Sequence, residues 1–174
     1  GDAVDTRIDW PLDRNRIRRG LLNHTFGMVR RNEDGSRRPH QGWDFEAAEG
    51  TPCYAIADGT VAQVRNVGAY GKQVILRFSF DHDGDGDLDT LFAAYCHLSR
   101  IEVQPGQAVR QGQRIGLTGN TGNAVSMKGA DQHLHFEIRT MPLPGTGLAG
   151  RYSPLAIFGT CPLSTAAQRR GAGS

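Results

Sequence analysis

The sequence predicts a mostly β protein, an antiparallel sheet or sandwich fold with little helix, and three observations carry that prediction. Glycine is abundant, at 23 of 174 residues with 8 prolines beside it, and this punctuation separates short apolar runs. Several of those runs alternate apolar and polar residues with a period of two, which places one face of a strand in a core. Late in the chain, Gln132-His133-Leu134-His135-Phe136-Glu137-Ile138-Arg139 reads as one strand. Residues i and i+2 share a face, so His133 and His135 project together while Leu134 and Phe136 turn the other way into a core.

The length predicts one domain, large enough to bury a core without disulfides. The formal net charge of +2 favours approach to an anionic polymer without identifying one. Nearly all the positive charge is arginine, dense across residues 14–38, and is read as solvated loop surface. No apolar run approaches the roughly 18 residues of a membrane-spanning helix. Cys53, Cys96 and Cys161 lie too far apart for a CxxC pair, and Cys53 and Cys96 sit in apolar runs that predict buried thiols.

Residues 1–39 read as an irregular lead-in with one or two short strands, containing Trp10-Pro11-Leu12 and the turn Glu33-Asp34-Gly35-Ser36. A strand over residues 52–57, a turn at Asp58-Gly59 and a return strand over residues 60–64 predict a hairpin. Tyr70-Gly71 turns the chain into a strand over residues 73–80, with residues 90–98 as its antiparallel partner. Short glycine-broken apolar pairs occupy residues 103–119, and a polar loop over residues 120–131 leads to the histidine strand. Ser153-Pro154 starts one helical turn through Phe158, with serine as cap and proline at the first position. Residues 40–163 form the expected domain, and residues 164–174 a flexible tail.

Three clusters carry chemistry: His133-Leu134-His135, His40-Gln41-Gly42-Trp43-Asp44 and Tyr95-Cys96-His97-Leu98. Imidazole and carboxylate are both normal zinc ligands, and the bend at Gly42 can aim His40 and Asp44 at one point. In this order the clusters resemble the lysostaphin-type zinc endopeptidases, which cut peptide cross-links in bacterial cell walls. The connecting turns resemble that family as well: Gly50-Thr51-Pro52, Ala57-Asp58-Gly59, Tyr70-Gly71, Gly112-Gln113 and Thr118-Gly119-Asn120-Thr121-Gly122.

The resemblance implies a zinc-bearing groove, with His40, Asp44 and His135 as the Zn²⁺ ligands and His97 and His133 as catalytic histidines. Three protein ligands leave a position for water, whose pKa zinc lowers toward about 7. The two catalytic histidines would divide proton transfer and oxyanion stabilisation. The implied substrate is a peptide of bacterial peptidoglycan, which places the reaction in the periplasm or outside the cell. Glu137 shares a face with His135 and is one candidate to orient its ring. Lysostaphin carries a supporting tyrosine shortly before its first ligand, and no tyrosine precedes His40 here. The Arg-rich lead-in, through Asn23 or His24, is the place to look for an inhibitory pro-segment or partner that blocks the zinc.

The acidic loop Asp81-His82-Asp83-Gly84-Asp85-Gly86-Asp87-Leu88-Asp89 matches the first eight positions of an EF-hand calcium loop. It lacks the closing glutamate, so Ca²⁺ at Asp81, Asp83, Asp85, Asp87 or Asp89 stands against a plain Asp/Gly turn. A binding or activator module of the same fold is the alternative function, and such modules typically lack some ligands; all five positions are present here.

Overall fold

The computed structural model describes residues 8–81, 83–124, 127 and 129–171. The start of the lead-in, His82 of the acidic loop, part of the loop before the histidine strand, and the last three residues of the expected tail lie outside the described residues. Among the described residues thirteen strands follow in chain order: β1 (Arg14–Asn15), β2 (Gly27–Arg31), β3 (Arg37–His40), β4 (Trp43–Glu46), β5 (Pro52–Tyr54), β6 (Gly59–Val67), β7 (Gly71–Phe80), β8 (Asp89–Ile101), β9 (Ala108–Val109), β10 (Arg114–Thr118), β11 (His133–Arg139), β12 (Arg151–Tyr152) and β13 (Ala167–Gln168). One short helix, α1 (Leu155–Phe158), starts where Ser153 Oγ accepts the Leu155 N–H at 3.2 Å.

The main sheet runs β12-β11-β8-β7-β6-β9, with β4 added to β11 and the β5–β10 ribbon joined to β8 through β10. Its pairings are antiparallel. Strand alternation divides its residues cleanly. Val74, Leu76, Phe78, Leu91, Ala93, Tyr95, Leu134, Phe136 and Ile138 meet Trp43, Phe45 and Ile17 in one large core. The opposite face carries a small apolar cluster, Ile75, Phe92, Ala94 and Cys96, with Tyr70 packed against it. On β11 that second face carries His133, His135, Glu137 and Arg139, and all seven residues of the strand are buried. Buried polar side chains need partners. The functional site is where this strand finds them.

The predicted hairpin about Asp58-Gly59 does not form. Instead β5 pairs with β10, while β6 pairs with β7 and β9. Ala55, Ile56 and Ala57 are buried in succession, which a half-buried alternating strand does not allow. Their backbone also looks elsewhere, since the Ala55 N–H donates to the Gln113 carbonyl and the Tyr54 N–H to that of Pro11. Gly59 then passes so close to the Arg77 carbonyl that a Cβ would collide with it.

The described part of the lead-in is anchored at several points. Trp10 stacks on Phe158 with ring centroids 4.3 Å apart. Ile17, fully buried, bridges Phe45 of β4, and the Glu46 N–H donates to the Arg16 carbonyl. The segment expected as a flexible tail contributes β13, which pairs with β1. Arg169 explains the difference, because its guanidinium donates to Asp13 at 2.8 and 3.0 Å and lies 3.8 Å from the Tyr54 ring centre.

Ile17 is therefore a structural anchor. Ile17→Ala is expected to lower stability by about 2–4 kcal/mol, as for other truncations of buried aliphatic side chains, measured by urea denaturation.

Candidate metal centre

The register of β4 against β11 sets Asp44 opposite His135. His40 ends β3, and the bend that joins it to β4 contains Gly42. A Cβ at Gly42 would strike the Phe136 carbonyl oxygen and come within 2.9 Å of Glu137 Cγ, so glycine is required for this close approach. As a result His40, Asp44 and His135 offer three donor atoms that all lie within 4.8 Å of one another.

Hydrogen bonds fix which nitrogen each ring presents. His40 Nδ1 lies 2.8 Å from the Thr25 carbonyl, an acceptor only, so the proton sits on Nδ1 and Nε2 faces Asp44 Oδ2 at 3.2 Å. His135 Nε2 lies 2.7 Å from Glu137 Oε2, and its Nδ1 lies 2.8 Å from Asp44 Oδ1. Nitrogen and oxygen donors, two of them on rings locked by a second partner, form a donor set that fits zinc and leaves a position for water.

His97 arrives by an irregularity. Strict alternation would put Cys96 and Leu98 on one face and His97 on the other. However, His97 adopts a left-handed backbone with φ of 62°, and the β7–β8 register shifts beside it. Cys96 and His97 then share the groove side while Leu98 enters the large core. The His97 ring centre lies 5.4 Å from that of His133 and 5.9 Å from that of His135. Left-handed backbone in a non-glycine residue is strained, and such strain concentrates at functional sites. His97 Nδ1 is 2.8 Å from the Thr121 carbonyl and His133 Nδ1 is 2.9 Å from that of Asp131, so both rings turn Nε2 away from these carbonyls. Burial lowers the pKa of both, and the neighbouring histidines help bring His97 down to about 4. Both are neutral at physiological pH.

Behind this donor set lies a buried ion cluster. Glu137 is fully buried and accepts from His135, from Arg139 Nε at 2.8 Å and from Arg151 Nε at 2.7 Å. Burial opposes its ionisation, yet His135 and the two guanidiniums outweigh burial and hold its pKa below the usual range. Burial likewise disfavours a charged His135, but hydrogen bonds to Asp44 and Glu137 raise it to about 9 in the metal-free protein. Asp44 is also held ionised, by His135, His24 and His40 against its burial.

The five predicted site residues line one cleft of about 340 Å³ together with Arg18, Arg30, Gln41 and Tyr70. Three of these were not legible as site residues. Tyr70, read as a turn residue, stacks on His135 with ring centres 5.9 Å apart, and its hydroxyl meets Gln41 Nε2 and Arg151 Nη2. Arg30 Nη2 donates to Asp44 Oδ2 at 3.2 Å, and Arg18 forms part of the cleft wall. The density of arginine between residues 14 and 38 was the available signal, and it read as surface. His24 is buried with Nδ1 3.4 Å from Asp44 Oδ2, while the Asn23 carbonyl accepts from Arg30 Nε. The predicted orienting role of Glu137 has its geometry in the 2.7 Å contact to His135.

In the acidic loop, Asp81, Asp83, Asp85 and Asp89 bring oxygens within 4.8 Å of one another. Their carboxylates already serve the turn: the Asp85 N–H donates to Asp81 and Asp83, the Gly86 N–H to Asp81 and the Asp87 N–H to Asp85. Turn chemistry accounts for the cluster without an ion.

An antiparallel β groove with this donor set on its floor defines the class of metallopeptidases. The chain belongs to Peptidase family M23, whose family model matches residues 38–147. It is 36% identical over 140 residues to an uncharacterized metalloprotease of Haemophilus influenzae, covering 74% of this chain and 26% of that protein. It is 40% identical over 100 residues to the peptidoglycan DD-endopeptidase ShyA of Vibrio cholerae, covering 58% of this chain and 20% of that one. The chain thus spans 26% or less of the length of these two relatives. Among solved structures, the catalytic domain of the antimicrobial peptidase lysostaphin from Staphylococcus simulans matches with a TM-score of 0.55 and 28% identity, over 78% of this chain and 90% of that domain. A zinc-containing peptidase from Vibrio cholerae matches with a TM-score of 0.56 and 31% identity, over 74% of this chain and 35% of that one.

The raised pKa of His135 has a measurable sign. Stability from its charged ring is complete below the ordinary value of 6.5 and is lost as pH rises through about 9. The metal-free protein is therefore expected to show a falling Tm across that window in calorimetric scans. Glu137→Gln should flatten this dependence and, by leaving two buried guanidiniums uncompensated, cost about 3–5 kcal/mol.

Proposed function

We propose that this chain is the catalytic part of a zinc-dependent endopeptidase that hydrolyses peptide cross-links or stem peptides of bacterial peptidoglycan, acting in the periplasm or outside the cell. In this reading His40, Asp44 and His135 hold Zn²⁺, and His97 and His133 are catalytic. The observation that carries it is the convergence of His40 Nε2, Asp44 and His135 Nδ1 beside two neutral imidazoles. Membership of a metallopeptidase family and likeness to a protein named as a peptidoglycan DD-endopeptidase support the substrate class.

A zinc ion held there supplies an acidified water and an electrophile for the scissile carbonyl. The remaining steps fall to the chain's own residues. His133 and His97, each with its proton fixed on Nδ1 by a backbone carbonyl, offer Nε2 to take the proton of the attacking water. The protonated ring then returns that proton to the leaving amine or donates to the developing oxyanion. Glu137 holds the Nε2 proton of His135 and so keeps Nδ1 as the ligand atom. Gln41 and Arg151 fix the Tyr70 hydroxyl beside the groove.

The test is release of peptide fragments from isolated sacculi, with and without a zinc chelator, read by mass spectrometry. Wild type should bind one zinc per chain and release fragments only without chelator. His135→Ala should lose both zinc and activity, whereas His97→Ala and His133→Ala should retain zinc and lose about 10²- to 10⁴-fold in kcat. Stoichiometric zinc without release from any wall type would turn the reading to a non-catalytic wall-binding module.

A further inference from the structure

The matched family region begins at residue 38, yet part of the cleft wall comes from the lead-in before it. Ile17 bridges Phe45 and is buried in the core, and the next residue opens a short 3-10 turn. That residue is Arg18. It lines the cleft with His97, His133 and Tyr70. Its side chain retains only 12% of its exposure, and Nη2 lies 3.1 Å from Asp131 Oδ1.

Two features set this guanidinium apart from an ordinary ion pair. Its Nε is buried and finds no hydrogen-bond partner among the described residues. A buried donor left unpaired is costly, so this guanidinium is less fully satisfied than a closed ion pair and gains from a further acceptor on its cleft side. Moreover, Asp131 Oδ1 is shared with Arg19, whose Nε and Nη2 reach it at 3.0 and 2.8 Å. One carboxylate thus faces two guanidiniums and leaves a net positive charge. Arg30 also lines the cleft, but its contacts to Asp44, His24 and the Asn23 carbonyl hold it against Asp44. Arg18 is the cleft cation whose buried donor has no partner among the described residues.

We propose that Arg18 is a substrate-binding residue that receives a free carboxylate of the peptide, on the residue adjoining the scissile bond or the next one beyond. The reach follows from the chain: Arg18 is tied to the side chain of Asp131, whose own carbonyl holds His133. One residue of extended peptide spans about 3.3–3.6 Å, so a carboxylate one or two residues from the reacting carbonyl meets this wall. A planar guanidinium is the side chain suited to such an acceptor, because its N–H groups match a carboxylate's two oxygens. The inference rests on the peptidase reading above and adds to it the charge of the preferred substrate. Peptides carrying a carboxylate at that position are favoured over those in which it is amidated.

The experiment uses two synthetic cross-linked stem peptides, identical except that one carries the free carboxylate next to the scissile bond and the other its carboxamide. Cleavage by zinc-loaded wild type, Arg18→Gln and Arg18→Lys is followed by mass spectrometry. Wild type should favour the carboxylate peptide by about tenfold in kcat/KM, chiefly through KM, as expected for a charge-assisted hydrogen bond. Arg18→Gln should collapse that ratio toward one and Arg18→Lys should keep part of it. A merely structural role would slow both peptides and preserve the ratio. Equal rates in wild type, or a ratio unchanged in Arg18→Gln, would overturn the proposal while leaving the peptidase reading intact. Calorimetric binding of both peptides to zinc-loaded His97→Ala, alone and combined with Arg18→Gln, separates the two claims. If no peptide is cleaved, the catalytic reading fails. Carboxylate-selective binding that Arg18→Gln removes would still support this site, and unselective or absent binding would overturn it.

Discussion

The pairing of β4 with β11 is the constraint on which the site depends. It brings Asp44 and His135, 91 positions apart in sequence, to 2.8 Å. Phe45 and Phe136 on the same two strands hold that pairing from the core side, with ring centres 6.1 Å apart. A slip of β4 by one residue would turn Asp44 into the core and Phe45 out of it, so apolar burial itself fixes the geometry of the donor atoms. Gly42 makes the close approach possible, since any side chain there would wedge β11 away from the bend between His40 and Asp44.

Once the donors converge, their charge must be balanced inside the protein. Glu137 does this from behind, and two arginines balance Glu137 in turn. Such a buried ion cluster is a costly way to hold one ring, because each charge surrenders its hydration. What it provides is orientation. Arg151 reaches both Glu137 and the Tyr70 hydroxyl, and the Arg139 guanidinium lies 5.3 Å from the Tyr70 ring centre. The ring stacked on His135 and the carboxylate bonded to it therefore move together or not at all.

Much of this was legible in the residues. The period-two pattern of β11 placed both histidines on one face and both large apolar residues on the other, and the spacing of His40 and Asp44 marked the second pair. His97 was legible as a residue but not as a geometry, because its left-handed backbone breaks the alternation from which facing is inferred. The hairpin at Asp58-Gly59 misled because turn chemistry is local, whereas strand partners are set by burial on both sides of residues 55–57. Arginines 18 and 30 read as surface because nothing in a sequence distinguishes a solvated cation from one folded over a cleft. Arg169 misled for the same reason at the other end, where composition alone suggested disorder.

The clasp between β1 and β13 gives the cleft an uneven rigidity. Asn15 Nδ2 donates to the Ala167 carbonyl across 152 positions, a loop closed over nearly the whole chain. Contacts of such long sequence separation form only after the segments between them are ordered. The sheet floor with its donors is knit by long ladders, whereas the wall that carries Arg18 hangs from two-residue strands and a few side chains. Residues knit by long ladders are the better protected in hydrogen exchange, and segments held by short strands and a few side chains open at lower free energy. On the peptidase reading proposed above, one side of the cleft can then yield to a bulky polymer while the donor atoms on the floor stay fixed.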